Sequence, residues 1–458
     1  MSFPGASSNR PPLWCVVVVV GAASLGAPRI GRAQELDLRL QSRLRWDRDA
    51  EGSDWDATYY TSLRIADIVQ NRLDFKLSGW GLWDIDADDA FDEALDQRRV
   101  RISEAYFDLR NLGRLSTLRL GRQWLYEVDN LHFDGATVWV DRERPLSFFV
   151  FGGRPVSYYA STRRAWLIGG GLVWRPTWRT QHQFDVYALQ DDSEVLTASA
   201  WRWNQTWGRQ LRTTTRLRFI EGDIRDFRAH LTRFIERWGL GLDLDLYVQP
   251  RERATGDEAR ARALAEFGRI LGPRAPTVRL AANVSKYFGE AWLAQLGGSV
   301  RRRLGHEGNA EDTFNSVESN HAYLHLTRFN AFVRNLDLTA GVESFNNELD
   351  RLLTLTGQAS YRPHPRWTFS IGASFSHFDF DPIDFSTRLN GQDDVDLLLE
   401  ELRSYVYFAE VRWRPADHYE WRADLAWEDT DAFSGNGWTA RLAFTYHFHR
   451  SLAKKETP

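Results

Sequence analysis

Leu36-Asp37-Leu38-Arg39-Leu40-Gln41-Ser42-Arg43-Leu44-Arg45-Trp46 is the stretch on which the fold turns. Leu36, Leu38, Leu40, Leu44 and Trp46 share one parity, and Asp37, Arg39, Gln41, Arg43 and Arg45 share the other. Side chains of a strand point alternately to its two faces, so this is a strand with one greasy and one charged face. A helix would scatter both sets around a cylinder. The same period returns in Trp238, Leu240, Leu242, Leu244, Leu246 and Val248, with Asp243 and Asp245 between them. It returns again in Trp367, Phe369, Ile371, Ala373 and Phe375, and in Trp421, Ala423, Leu425 and Trp427.

Composition narrows what such strands can build. Aromatics make up 14% of the 458 residues, 20 of them Trp, yet mean hydropathy is −0.47. So many aromatics exclude a disordered chain. Cys15 is the single cysteine, which excludes a disulfide scaffold and a thiolate metal site. Arg10, the apolar run from Leu13 to Leu25, and the small-x-small pattern Gly31-Arg32-Ala33 read as a signal peptide over residues 1–33. Beyond it no apolar run is long enough for a membrane helix. Four of the 58 basic residues are Lys (Lys76, Lys286, Lys454 and Lys455), so Arg dominates. The formal charge of −4 argues against a general nucleic-acid binder. What remains is an all-β, transmembrane antiparallel β-barrel, expected in the bacterial outer membrane.

The links between strands alternate in length. Short ones follow one set, as at Arg110 to Arg114, Arg142 to Pro145 and Pro415 to His418; longer polar ones follow the other, as at Asp84 to Arg99, Arg303 to Asn320 and Phe378 to Leu402. That asymmetry is the barrel pattern of short periplasmic turns and long outer loops. Trp174-Arg175-Pro176, Tyr361-Arg362-Pro363 and Trp413-Arg414-Pro415 mark strand ends, since proline cannot donate to a ladder, and their aromatics predict a girdle at headgroup level. The closing strand Leu442, Phe444, Tyr446 and Phe448 resembles the signal read by the barrel-assembly machinery, followed by a polar tail over 449–458. The barrel is thus expected over 34–448. Candidate segments number up to 22, and the expectation adopted is about 18 strands, within a range of 16–22. Residues 257–271 break the pattern with helix formers, and Arg260, Arg262, Leu264 and Phe267 mark them as a candidate plug or gate.

The polar parity is expected to line the lumen. Arg39, Arg43, Arg45, Arg64, Arg279 and Arg301 all alternate with apolar neighbours, while Asp37, Asp74, Asp243, Asp245 and Asp337 supply counter-charges. Arg212, Arg216 and Arg218 share one parity in a Thr-rich strand. Guanidinium groups stay ionised and fork onto carboxylates, so rings of them attract anions. The acidic run from Asp84 to Asp89 lacks EF-hand spacing, with Asp89 and Leu95 where Gly and Glu are needed. The scattered His230, His306, His321, His325 and His377 show no HExxH spacing. No metal, cofactor or catalytic residue is expected, and the chain is not read as an enzyme.

Three stretches share a further likeness: Leu118-Arg119-Leu120-Gly121-Arg122-Gln123, then Phe133-Asp134-Gly135-Ala136, then Phe149-Val150-Phe151-Gly152-Gly153-Arg154-Pro155-Val156. Here the chain resembles the alginate-export outer-membrane porin family. The resemblance implies a monomeric barrel of about 18 strands with an Arg-rich constriction, through which an anionic exopolysaccharide passes from periplasm to cell surface. It implies that Arg119, Arg122, Asp134 and Arg154 contribute to the lining. By parity Arg119 faces away from Leu118 and Leu120, whereas Arg122 and Asp134 share the apolar parity, as residues at a rim or bulge do. The expected function is export of an alginate-like polymer; the alternative is a general or small-solute anion-selective porin. Expected partners are outer-membrane lipid, the anionic polysaccharide, periplasmic export proteins and the barrel-assembly machinery, without nucleic acid.

Overall fold

The computed structural model describes residues 35–48, 53–69, 72–84, 98–156, 165–191, 194–251, 276–304, 318–347, 350–380, 401–431 and 436–451. The segment 1–33, expected to be a signal peptide, and the candidate gate with Arg260, Arg262, Leu264 and Phe267 lie outside the described residues.

Alternation becomes wall directly. The strands are β1 (Glu35–Arg48), β2 (Ser53–Ala66), β3 (Leu73–Asp84), β4 (Arg98–Leu112), β5 (Leu115–Leu125), β6 (Leu131–Val140), β7 (Leu146–Pro155), β8 (Trp166–Thr177), β9 (Thr180–Asp191), β10 (Glu194–Trp207) and β11 (Leu211–Ile220). They continue as β12 (Asp223–Ile235), β13 (Leu240–Gln249), β14 (Thr277–Phe288), β15 (Trp292–Arg303), β16 (Ser319–Arg328), β17 (Leu336–Asn347), β18 (Asp350–His364), β19 (Trp367–Phe380), β20 (Glu401–Ala416), β21 (Tyr419–Thr430) and β22 (Gly437–Ser451). Each strand pairs antiparallel with its sequence neighbours, and β1 pairs with β22 from Glu35–Ser451 to Arg48–Trp438. The sheet therefore closes on itself and leaves no edge, the condition for a sheet to cross a bilayer.

The wall has 22 strands, which corrects the expectation of about 18. The short segments around Asp134 to Asp141 and Leu146 to Gly153 are full members of the sheet as β6 and β7, each 10 residues long. β22 also runs past Phe448: His449 pairs with Asp37 and Ser451 with Glu35, so the start of the polar tail is part of the ladder.

Directly opposed residues in antiparallel strands share a face. Leu44 lies opposite Ala57 and Leu442, and that face carries exposed apolar side chains round the wall, including Ile371, Val186 and Leu296. Lipid covers this face, and each large side chain removed from water contributes about 1.5–3 kcal/mol. The girdle expected beside the Arg-Pro turns is present. Trp367, Trp413, Trp421 and Phe444 lie opposite one another across β19 to β22. Their rings meet at 5.4 Å for Trp367–Trp413 and 4.5 Å for Trp421–Phe444. A second aromatic row at the long-loop end joins Tyr407, Trp427 and Trp438.

One hairpin leaves the wall. Leu125, Val128, Leu131 and Phe133 of the β5–β6 hairpin are fully buried against Phe149, Phe151, Leu167, Val173, Tyr187 and Leu189. Those partners sit on the inner face of β7 to β9, opposite in parity to exposed Val150, Ile168 and Val186. The apolar core of this protein therefore lies inside the barrel, beneath an infolded hairpin. Glycines permit the fold. Gly121 opposes Gly135, which opposes Gly153, so strand backbones stack without side chains between them. A Cβ on Gly135 would come within 2.6 Å of the Gly153 Cα, and one on Gly121 within 2.9 Å of the Tyr106 Cα. Backbone cannot yield as a side-chain tip can. Gly135→Ala is expected to destabilise the barrel by about 1–3 kcal/mol, read as a lower temperature for conversion of the folded band on a semi-native gel. An unchanged transition temperature would mean that the hairpin does not need this close approach.

Candidate functional site

Away from the apolar patch under the hairpin the inner face of the wall is polar, and three groups of charges stand out on it. The first lies at the short-turn end beside β2 to β5 and lines a pocket of about 900 Å³. Asp74, buried, takes Arg64 at 3.5 Å and also Arg110. Arg119 forks onto Asp108 at 2.7 and 3.0 Å and lies over the Tyr106 ring, 4.1 Å from its centroid. Lys76 bonds Glu104 at 2.6 Å. The β6–β7 turn adds Asp141, Arg142 and Arg144, and β8 adds Arg175, which donates to the Arg142 carbonyl at 3.2 Å.

The second group fastens the infolded hairpin. Its tip places Asp129 beside Arg216 at 3.3 Å, Arg202 at 3.6 Å and Arg218 at 3.7 Å. Arg218 forks onto Asp226, and Arg202 reaches Asp185 at 3.9 Å. Three Arg and three Asp make one largely buried network. Gln183, near the short-turn end of β9, donates to the Glu127 carbonyl at 2.7 Å. The tip thus descends into the lumen. It reaches strands four and five places round from β6, about 20 Å along the wall at ordinary strand spacing. Above the glycine bend, Arg122 forks onto Asp134 at 2.7 and 2.8 Å and donates to the Ile102 carbonyl at 3.1 Å. Arg154 lies opposite Asp134 in register. These residues fix the bend.

The third group occupies β14, β15 and β20 round to β1. Arg414, Glu420, Arg412, Glu410, Arg422, Asp424 and Arg441 alternate in sign, with Arg422–Glu410 at 2.8 Å and Arg441–Asp424 at 3.9 Å. Arg45 pairs with Asp47. Arg39 lies opposite Ser62 and His447, and Arg43 opposite Thr58 and Ala443. Arg279 lies between Tyr247 and Arg301, and Arg301 between Arg279 and Ser319. Arg39, Arg43 and Arg279 have no ion-pair partner among the described residues.

The sequence anticipates part of this. Of the expected counter-ions, Asp74, Asp245 and Asp337 pair with Arg64, Arg228 and Arg362, while Asp37 and Asp243 lie against the imidazoles of His447 and His230. The strand with Arg216 and Arg218 faces inward. Missed are Asp129, Arg110, Arg142, Arg175 and the ladder on β20 and β21. The ladder had a readable signal: Glu410, Arg412 and Arg414 alternate against Val411 and Trp413. Asp129 had none, because it sits in a turn and meets residues 73 to 89 positions away. Among the described residues no group of three or more His, Cys, Asp or Glu is placed to hold a metal ion.

A closed wall, greasy outside and charged within, bounded by two aromatic rows, decides the class. The chain is an outer-membrane β-barrel. Comparison with solved structures agrees on the fold. The translocation pore of the P pilus usher PapC superposes with a TM-score of 0.52 at 10% identity, covering 92% of this chain and 100% of that one. OccK1 (OpdK) of Pseudomonas aeruginosa gives 0.44 at 10% identity, with 91% and 98% covered. Pseudomonas aeruginosa OccK2 (OpdF), solved in complex with glucuronate, gives 0.43 at 12% identity, with 92% and 98% covered. No protein family matches the chain, and no curated protein matches it either. The alginate-export likeness thus stays a resemblance carried by residues 118 to 156.

Proposed function

We propose that this barrel is a passive outer-membrane channel selective for small anionic solutes. The observation that carries it is the set Arg39, Arg43 and Arg279, inner-face guanidinium groups without a carboxylate partner among the described residues. Two of these stand on β1 and one on β14, where the neighbouring strands set no carboxylate directly opposite them. Guanidinium donors with free valence attract carboxylates and phosphates and release them as readily when water competes, which is what conduction needs. No bond is made or broken in this reading.

The runner-up is export of an anionic polysaccharide, which the motif resemblance implies. A wide 22-stranded wall suits it. Against it, Arg122 and Asp134 satisfy each other at the bend, leaving fewer motif residues to meet a polymer. Planar-bilayer recordings in a KCl gradient test the reading. The reversal potential is expected on the chloride side. A cation-preferring potential overturns it, and current blocked by polyuronate with a dependence on chain length favours the polymer instead.

A further inference from the structure

β16 carries a second kind of lumenal surface. Its outer parity is Leu324 and Leu326, both exposed to lipid; its inner parity is His321, Tyr323, His325 and Thr327. The three rings form a continuous stripe, with Tyr323 centred 5.7 Å from His321 and 5.2 Å from His325. Two glycines lie beneath them. Gly297 of β15 is opposite Tyr323, and Gly341 of β17 is opposite His325. A Cβ on Gly297 would come within 2.7 Å of the Tyr323 Cζ and Oη, and one on Gly341 within 2.9 Å of the His325 Nε2. The rings therefore lie down on bare backbone, half-buried, one side on the wall and the other toward the lumen. Polar partners hold their edges. The Tyr323 hydroxyl donates to Asn283 Oδ1 at 2.7 Å, and His321 Nε2 meets Glu343 Oε1 at 2.6 Å.

Attraction of anions does not call for this arrangement, because ring faces are electron-rich. Flat apolar faces edged by hydroxyl, amide, carboxylate and imidazole groups complement a ligand that is itself apolar on its faces and hydroxylated round its rim. Sites for small molecules are built in this way, from aromatic surface with a few placed polar groups. A pyranose ring has that character: axial C–H groups on its faces and hydroxyls at its equator. We propose that His321, Tyr323 and His325 form a stacking track for pyranose rings on the inner wall. The track needs no charge on the sugar, so it goes beyond the anion-channel reading.

The neutral oligosaccharide maltohexaose is the probe, added to single channels in planar bilayers. Wild-type current is expected to show resolved blockades. Tyr323→Ala is expected to shorten their dwell time about five- to tenfold, as loss of one aromatic contact implies. Tyr323→Phe, which keeps the ring and loses the bond to Asn283, is expected to stay within about threefold. Unblocked conductance and ion selectivity should be the same in all three proteins. That shows an intact barrel and separates this result from any failure of anion selectivity. Absence of blockade in the wild type, or equal dwell times in wild type and Tyr323→Ala, overturns the proposal.

Discussion

Asp129→Ala is expected to raise single-channel conductance about twofold or more and to expose the β5–β6 hairpin to protease, because breaking a buried ion pair from one side costs about 3–5 kcal/mol. Asp129 is the hairpin's only carboxylate in the network of Arg202, Arg216 and Arg218. Without it three buried guanidinium groups face two carboxylates, Asp185 and Asp226. Arg216 suffers most, since its remaining carboxylate, Asp226, is 4.0 Å away. The apolar contacts of Val128 and Leu131 still favour the infolded state, so the expected outcome is frequent opening rather than loss of the barrel. A second variant separates charge imbalance from lost packing. Asp129→Ala combined with Arg216→Leu removes both partners, and part of the stability should return, as coupled neighbours show in double-mutant cycles. Wild-type conductance and protease resistance in Asp129→Ala would show that the hairpin is held by its apolar core alone.

The second large effect is on selectivity. Arg39→Glu, Arg43→Glu and Arg279→Glu together change the lumenal charge by six units. A unit charge about 10 Å from a permeating ion is worth about 0.4 kcal/mol in water, so six give about 2.5 kcal/mol. Screening at 0.1 M salt, where the Debye length is about 10 Å, leaves about 1 kcal/mol. Chloride is disfavoured by that amount and potassium favoured by it, so the chloride-to-potassium permeability ratio should fall about thirtyfold, and further at lower salt. None of the three is in an ion pair among the described residues, so the wild-type fold should persist. The triple Arg→Gln variant, which removes charge and adds none, should fall between. An unchanged reversal potential across the series would move the selectivity filter elsewhere in the lumen.

The wall was legible in the sequence because its rule is local. A period of two, proline after a strand-ending aromatic, and Trp at strand ends each depend on a few adjacent residues and on the bilayer outside. Leu36 to Trp46 therefore predicts its own two faces, and Trp413 predicts the girdle. The count of strands was harder to read, since β6 and β7 are short and apolar on both faces, with Val138 and Val150 on one and Trp139 and Phe149 on the other.

The inside of the barrel was decided only by the tertiary structure. Arg122 and Asp134 read as lumenal residues out of place; in the structure they lock each other across a bend that glycine stacking makes possible. Asp129 meets Arg216 from 87 positions away, and no periodicity encodes that approach. Which arginines are set opposite a carboxylate is likewise a question of register. Arg119 and Arg39 have the same chemistry and the same parity rule, yet β4 sets Asp108 opposite the first, while β2 and β22 set Ser62 and His447 opposite the second. The sequence alone determined a barrel with a charged interior, because alternation is a property of one strand. Only the closed structure distinguished compensated from uncompensated charge, because that is a property of neighbours brought together by pairing.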